Sequence, residues 1–134
     1  MPVFRSRFAR SSEDAARNRA AGEEALATLR ALEDRTRLAS AKAGPRFAKR
    51  GQLLPRERLG LLLDPGAPFV ELSTLAGYLF DKPDADKSVP GGGLVIGIGY
   101  VGGVRALVVA HDSGIDAGAL QPYGLEKMQR AQDI

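Results

Sequence analysis

Three short stretches of the sequence hold residue types that can do chemistry. Gly97-Ile-Gly-Tyr-Val-Gly102 spells G-x-G-x-x-G, with Asp116 further along. In a dinucleotide site those glycines leave a strand and open a helix, so that a pyrophosphate meets the helix N-terminus. Here the next residues, Val104 to Ala110, read as a second strand, so the glycines belong to a strand and its turn. His111-Asp112-Ser113 holds the three letters of a hydrolase triad. Neighbouring strand residues point to opposite faces, whereas a triad needs convergent side chains. The tripeptide reads instead as a strand end whose Asp and Ser hydrogen-bond the turn. The third stretch, Asp116-Ala117-Gly118, is a small-residue loop entering a helix at Pro122. Its backbone N–H groups can face an anion or an enolate oxygen, aided by the helix dipole, or form a tight turn that binds nothing. The residues alone leave both readings open. Lys127 and Arg130 can neutralise a phosphate, but read more simply as a solvated helix face.

The elements that must position these stretches centre on residues 89–112. Gly102-Gly103 between two apolar runs is a β-hairpin signal, pairing Val101 with Val104, Ile98 with Leu107 and Ile96 with Val109. One face then carries Leu94, Ile96, Ile98, Tyr100, Leu107 and Val109; the other carries Val95, Gly97, Gly99, Ala106, Val108 and Ala110. Both faces are apolar, so the hairpin is expected to be covered on both sides, with something close against the glycine backbone. Upstream, Ser11 or Ser12 can cap a long Ala-, Leu-, Glu- and Arg-rich helix that Gly44-Pro45 stops, with Gly22 as a candidate break. Its thin stripe (Leu26, Leu29, Leu32, Leu38) suits packing on another surface or subunit. A basic linker runs from Pro45 to Leu54. Pro55 opens a second helix with Leu59, Leu62 and Leu63 on one face, ended by Asp64-Pro65-Gly66. Phe69 to Ser73 reads as a short strand, and Gly77 to Ser88 as a polar, mobile loop. A last helix opens at Pro122, in which Leu125, Met128 and Ala131 share a face and Glu126 and Arg130 are spaced i,i+4. It carries no stop signal before Ile134, which suggests a fragment of a longer protein.

Composition narrows the function classes. The 134 residues contain no cysteine and one histidine, His111. Disulfides, zinc–thiolate sites, Cys nucleophiles and His-cluster metal sites are therefore excluded, leaving only carboxylate sites suited to Mg²⁺ or Ca²⁺. No metal ligands stand out. No apolar run approaches the length of a membrane span. The net charge of +3 is divided: residues 1–50 hold twelve Lys/Arg against six Asp/Glu, residues 51–134 seven against ten. The basic half mixes its signs and has few aromatics, which favours a solvated helix over a nucleic-acid surface. The Arg- and Ser-containing N-terminus lacks a secretory h-region and soon turns to mixed charge, so a cytoplasmic protein is expected.

The order of segments resembles a known family. Lys49-Arg-Gly-Gln-Leu-Leu-Pro-Arg-Glu-Arg-Leu-Gly-Leu-Leu-Leu-Asp-Pro-Gly-Ala-Pro-Phe-Val-Glu-Leu72 is similar to the opening of the carboxyltransferase (β) subunits of biotin-dependent acyl-CoA carboxylases of the propionyl-, methylcrotonyl- and geranyl-CoA type. The hairpin, the small-residue loop and Gly124-Leu-Glu-Lys-Met-Gln-Arg-Ala-Gln-Asp-Ile134 resemble the blocks that follow. The resemblance implies an α/β, crotonase-like fold of ββα units, of which this chain is an incomplete N-terminal portion preceded by a long helix. It implies CO₂ transfer from carboxybiotin to the α-carbon of an acyl-CoA, with backbone N–H oxyanion holes in place of a nucleophile. Biotin would be carried by a partner biotin carboxylase or biotin carrier subunit, with none bound by this chain, and the whole subunit would assemble as a hexamer. Ala117-Gly118 stands where many relatives have Gly-Gly, and His111 where many have Asn. The family's main oxyanion glycines lie downstream of Ile134, so no catalytic residue is expected here and the chain alone should be inactive.

These expectations divide the chain into a flexible arm (1–10), an N-terminal helix (11–44) and the start of the carboxyltransferase domain (45–134). Ala117 and Gly118 are the candidate acyl-CoA-binding residues, because they precede a helix N-terminus. The alternative is a non-catalytic interaction module assembling with a carboxylase complex. Neither nucleic acid nor membrane is expected as a partner.

Overall fold

The computed structural model describes residues 9–134, and the arm expected over residues 1–10 lies outside them apart from its last two residues. The chain divides into two compact units, the second being Leu32–Ile134. In the first, helix α1 (Glu13–Ala41) begins. Ser12 is its cap: the Ser12 hydroxyl accepts from the Ala15 N–H (3.2 Å) and donates to the Ala9 carbonyl (2.9 Å). Gly22 does not break the helix, and a Cβ there would meet nothing within 4 Å.

In the second unit α1 ends at Ala41 and a new helical turn, α2 (Gly44–Ala48), follows. Gly44-Pro45 is therefore not only a stop. Proline lacks an N–H and has a helical φ, which suits a first turn, so much of the expected linker is helical. Helix α3 (Pro55–Leu62) starts as predicted, with the Leu54 N–H donating to Glu57 Oε2 at 2.7 Å. Of its leucines Leu59 is buried, while Leu62 is half exposed. Arg56 reaches across to Glu71 with two parallel bonds of 2.8 and 2.9 Å. This fork ties α3 to the sheet.

The sheet holds β1 (Val70–Glu71), β2 (Leu94–Val101) and β3 (Val104–His111), antiparallel and in that order. The hairpin register is the predicted one, Val101 opposite Val104, Ile98 opposite Leu107 and Ile96 opposite Val109. Both turn glycines have positive φ (59° and 78°), as a two-residue primed turn requires. The Asp64 carboxylate accepts from the Gly102 and Gly103 N–H groups, each at 2.7 Å. What lies close against the glycine face is Phe69. A Cβ at Gly97 would stand 2.4 Å from its Cζ, and one at Gly99 2.7 Å from Leu63 Cδ2. On the bulky face, Leu94 and Ile96 pack with Ala131 and Met128 of helix α4 (Pro122–Gln132) as the core.

Two expectations hold only in part. The hairpin is not covered throughout: β2 is largely buried, but Val104, Leu107 and Val109 of β3 are exposed. Helix α4 lies over β2 and α3 approaches β3, yet these three β3 side chains stay exposed. The face that Leu125, Met128 and Ala131 share is also buried only in part: Met128 and Ala131 pack on the core, Gly124 and Lys127 are buried beside them, and Leu125 is exposed. The cause is the approach of two backbones. A Cβ on Gly124 would lie 2.3 Å from the Gly92 carbonyl oxygen, so the helix seats itself on its glycine. The polar loop is anchored at its end: Ser88 is buried, its Oγ accepts from the Leu79 N–H (2.9 Å), and the Arg35 guanidinium meets the carbonyls of Ala85 and Ser88. No helix among the described residues is long and apolar enough to cross a membrane.

Candidate functional site

Three segments meet where the sequence placed its candidate residues: the Pro90–Gly93 run, the turn from Asp112 to Ala119, and the start of α4. Gly91, Gly92 and Gly93 all have positive φ (100°, 62° and 71°), which lets the run double back before β2. The Gly93 carbonyl accepts from the Asp112 N–H at 2.8 Å, and a Cβ at Gly93 would come within 3.3 Å of the Ala119 carbonyl oxygen. The glycine run therefore touches both ends of the turn.

Within the turn, Asp116, Ala117 and Gly118 are consecutive left-handed residues (φ 43°, 55° and 84°) in a 3-10 turn. Asp tolerates that region; Ala at φ 55° costs about 1 kcal/mol. Such an outlier on an exposed residue, held in place by its surroundings, is a pointer to a functional site. Asp116 supplies the hold, its Oδ2 accepting from Lys82 Nζ (3.0 Å) and from Gln121 Nε2 (3.1 Å) just before α4. The Gly118 N–H already donates to the Ile115 carbonyl (2.8 Å), so Gly118 offers shape and close approach rather than a free donor.

The other stretches do not converge. His111 is exposed, whereas Asp112 is buried and turned to Ser40 Oγ (2.7 Å) and to the Gly114 N–H (3.1 Å). Asp112 Oδ2 is buried without a partner among the described residues. Gly97 and Gly99 lie inside β2 and Gly102 in its turn, with no helix after them. Among the described residues no group of three or more His, Cys, Asp or Glu side chains gathers as a metal site would require.

Lys127 corrects the sequence reading most. Arg130 is solvated as expected, but Lys127 is only 4% exposed, and its Nζ donates to the carbonyls of Leu94 (2.7 Å) and Gly91 (3.3 Å). Burial lowers its pKa to about 8, with Arg56 pushing the same way and Glu71 opposing. Burial works to raise the Glu71 carboxyl, but the hydrogen bond and charge of Arg56, aided by Lys127 and Arg37, hold it below its ordinary range. The hydrogen bond to Glu71 raises Arg56 against its own burial. A signal for Lys127 existed: it sits between Gly124 and Ala131 on one helical stripe of small residues.

Comparison with known proteins fits this geometry. The model of the Carboxyl transferase domain matches residues 46–134, and the chain belongs to that family. The chain is 46% identical over 93 residues to a probable mitochondrial methylcrotonoyl-CoA carboxylase beta chain of Drosophila melanogaster, covering 69% of this chain and 16% of that protein. The crystal structure of the P. aeruginosa geranyl-CoA carboxylase beta subunit superposes with a TM-score of 0.86 at 52% identity, covering 98% of this chain and 24% of that one. Transcarboxylase 12S shares the fold at a TM-score of 0.63 and 23% identity, over 78% of this chain and 22% of its own. The chain thus spans about a fifth of the length of these relatives and has the crotonase-like fold of carboxyltransferase β subunits, with β2, β3 and α4 as a ββα unit.

Proposed function

We propose that the chain is the N-terminal part of an acyl-CoA carboxyltransferase subunit, which moves CO₂ from carboxybiotin to the α-carbon of an acyl-CoA. The observation that carries this reading is the 52% identity to the geranyl-CoA carboxylase beta subunit across 98% of the chain. In it, residues 45–134 open the carboxyltransferase domain, with the helix over 11–44 before it. Ala117 and Gly118 lend backbone to the acyl-CoA pocket, Ala117 by its amide, on a residue that is itself exposed, and Gly118 by leaving room for the thioester. Carboxybiotin supplies the activated CO₂ when a biotin carrier or biotin carboxylase partner delivers it, and no residue of this chain is assigned to it. The whole subunit works as a cytoplasmic homohexamer.

The test uses the whole subunit with its biotin-carrying partner, measuring acyl-CoA-dependent fixation of labelled bicarbonate over short, branched and isoprenoid acyl-CoAs. Carboxylation of at least one supports the reading; none overturns it. Ala117→Asp probes the pocket, because Asp accepts a left-handed φ and should fold. The expected outcome is a fall of about tenfold or more in kcat/KM for acyl-CoA at an unchanged melting temperature. Unchanged kinetics would remove Ala117 and its neighbour from the pocket. The exposed apolar residues of β3 favour a second reading, a non-catalytic docking module, which would bind the carboxylase partner without carboxylating anything.

A further inference from the structure

We propose that Lys127 is a positioning residue for the acyl-CoA pocket: it clamps the Gly91–Leu94 loop, and through that loop sets both ends of the turn that carries Ala117 and Gly118. This inference rests on the functional reading above. The argument begins with the loop itself. Three successive glycines, all at positive φ, form a segment with more conformational freedom to lose than any other stretch of this chain. Its own bonds are few: Gly91 N–H to the Ala76 carbonyl (2.8 Å) and Leu94 N–H to the Gly91 carbonyl (3.1 Å). Lys127 adds two bonds from one ammonium, to the carbonyls at either end of the loop. Charge-assisted donors are about twice as strong as neutral ones, so one side chain fixes the span of the loop.

The loop then passes that constraint on. Gly92 is seated on the backbone of Gly124, where a Cβ at Gly92 would stand 2.6 Å from the Gly124 Cα. Gly93 holds the Asp112 N–H at the start of the turn and lies against Ala119 at its end. Stability alone gives no reason for a lysine here. A buried ammonium carries a desolvation cost that an apolar chain of similar length avoids. The charged groups acting on Lys127 are Glu71 of β1 and Arg56 of α3. Glu71 is already forked to Arg56 and leaves the Lys127 ammonium to the two carbonyls.

The experiment compares the whole subunit, with its biotin-carrying partner, as wild type, Lys127→Met and Lys127→Arg. Acyl-CoA KM and kcat are measured from pH 6.5 to 9.5, with amide hydrogen exchange at Gly91, Leu94 and Asp112. Methionine keeps the length and burial, so Lys127→Met is expected to fold and melt near the wild type. Its acyl-CoA KM should rise about tenfold with kcat little changed, because binding geometry rather than the chemical step is disturbed. Exchange at the three amides should speed up by a similar factor. Above pH 8 the ammonium loses its proton and its bonds weaken, so the wild-type KM should climb through that range. The Lys127→Met profile should be flat there, and Lys127→Arg should restore exchange protection only in part.

Unchanged exchange in Lys127→Met overturns the clamp whatever the kinetics show. Faster exchange with an unchanged KM overturns the link to the pocket. A KM defect that follows the loss of folded protein, with the pH profile intact, reduces Lys127 to a structural part. A wild-type subunit that carboxylates no acyl-CoA overturns the functional reading itself, and the positioning role falls with it.

Discussion

Strand β2 has glycines inside it and glycines just before it, and the two sets solve opposite problems. Gly97 and Gly99 keep ordinary strand dihedrals and exist to be small: Phe69 and Leu63 occupy the space where their side chains would be. Gly91, Gly92 and Gly93 take dihedrals that other residues rarely adopt and exist to turn. The first set gives up side-chain burial and regains it from an aromatic ring laid on bare backbone. The second set gives up chain entropy and must be held from outside, by Lys127 and by the backbone of Gly124. Gly97 and Gly99 therefore mark the packed middle of the sheet, and Gly91, Gly92 and Gly93 mark the part next to the candidate pocket.

Breaking the first set should have the largest effect. In Gly97→Ala the new methyl would meet Phe69 Cζ at 2.4 Å and the Val70 carbonyl oxygen at 2.7 Å. The ring can swing, but the β1 backbone is fixed by its pairing to β2, so a loss of about 3 kcal/mol is expected. The shift in unfolding midpoint of the whole subunit measures it. Acyl-CoA KM per folded subunit should stay at the wild-type value, since nothing near the turn moves. A loss below about 1 kcal/mol would show that Phe69 is not closely packed there.

The second set should respond the other way round. Gly93→Ala meets only the Ala119 carbonyl oxygen, at 3.3 Å, and its main penalty is φ +71°. That is worth about 1–2 kcal/mol of stability, less than at Gly97. Because the methyl pushes on the turn, acyl-CoA KM should rise along with it. If Gly93→Ala left KM unchanged while Gly97→Ala raised it, the division between packed and site-bearing glycines would be reversed.

Local rules explain what the sequence could reveal. The Gly102-Gly103 turn fixes the register of its strands residue by residue, and an alternating pattern then assigns every side chain to a face. From that followed the glycine face and the need for a cover, though not that the cover would be Phe69. The site was legible only as a position: Asp116-Ala117-Gly118 before a helix. That Gly118's amide is already used, and that Asp116 is pinned by Lys82 and Gln121, depend on contacts between distant segments. Lys127 was misread for the same reason. On a helix wheel a lysine reads as solvated, and only the Gly92–Gly124 approach brings it inward, over carbonyls that the glycine run leaves facing it. The exposure of β3 could not be read either, since its apolar alternation specifies a cover without specifying where the cover comes from.

A third kind of glycine sharpens the contrast with the smallest effect. Gly22 lies inside α1 with ordinary helical dihedrals, and a Cβ there would meet nothing within 4 Å. It neither turns nor packs. Replacing it with alanine removes no contact and restricts only the unfolded chain, which should stabilise the helix by about 0.5–1 kcal/mol. The expected result for Gly22→Ala is thus a small rise in melting temperature and in helical circular dichroism, with unchanged carboxylation. A fall instead would mean that Gly22 is in close contact with a surface in the assembled protein. It would then join Gly97 as a packing glycine, with α1 as an interface helix whose narrow leucine stripe is covered in the assembly.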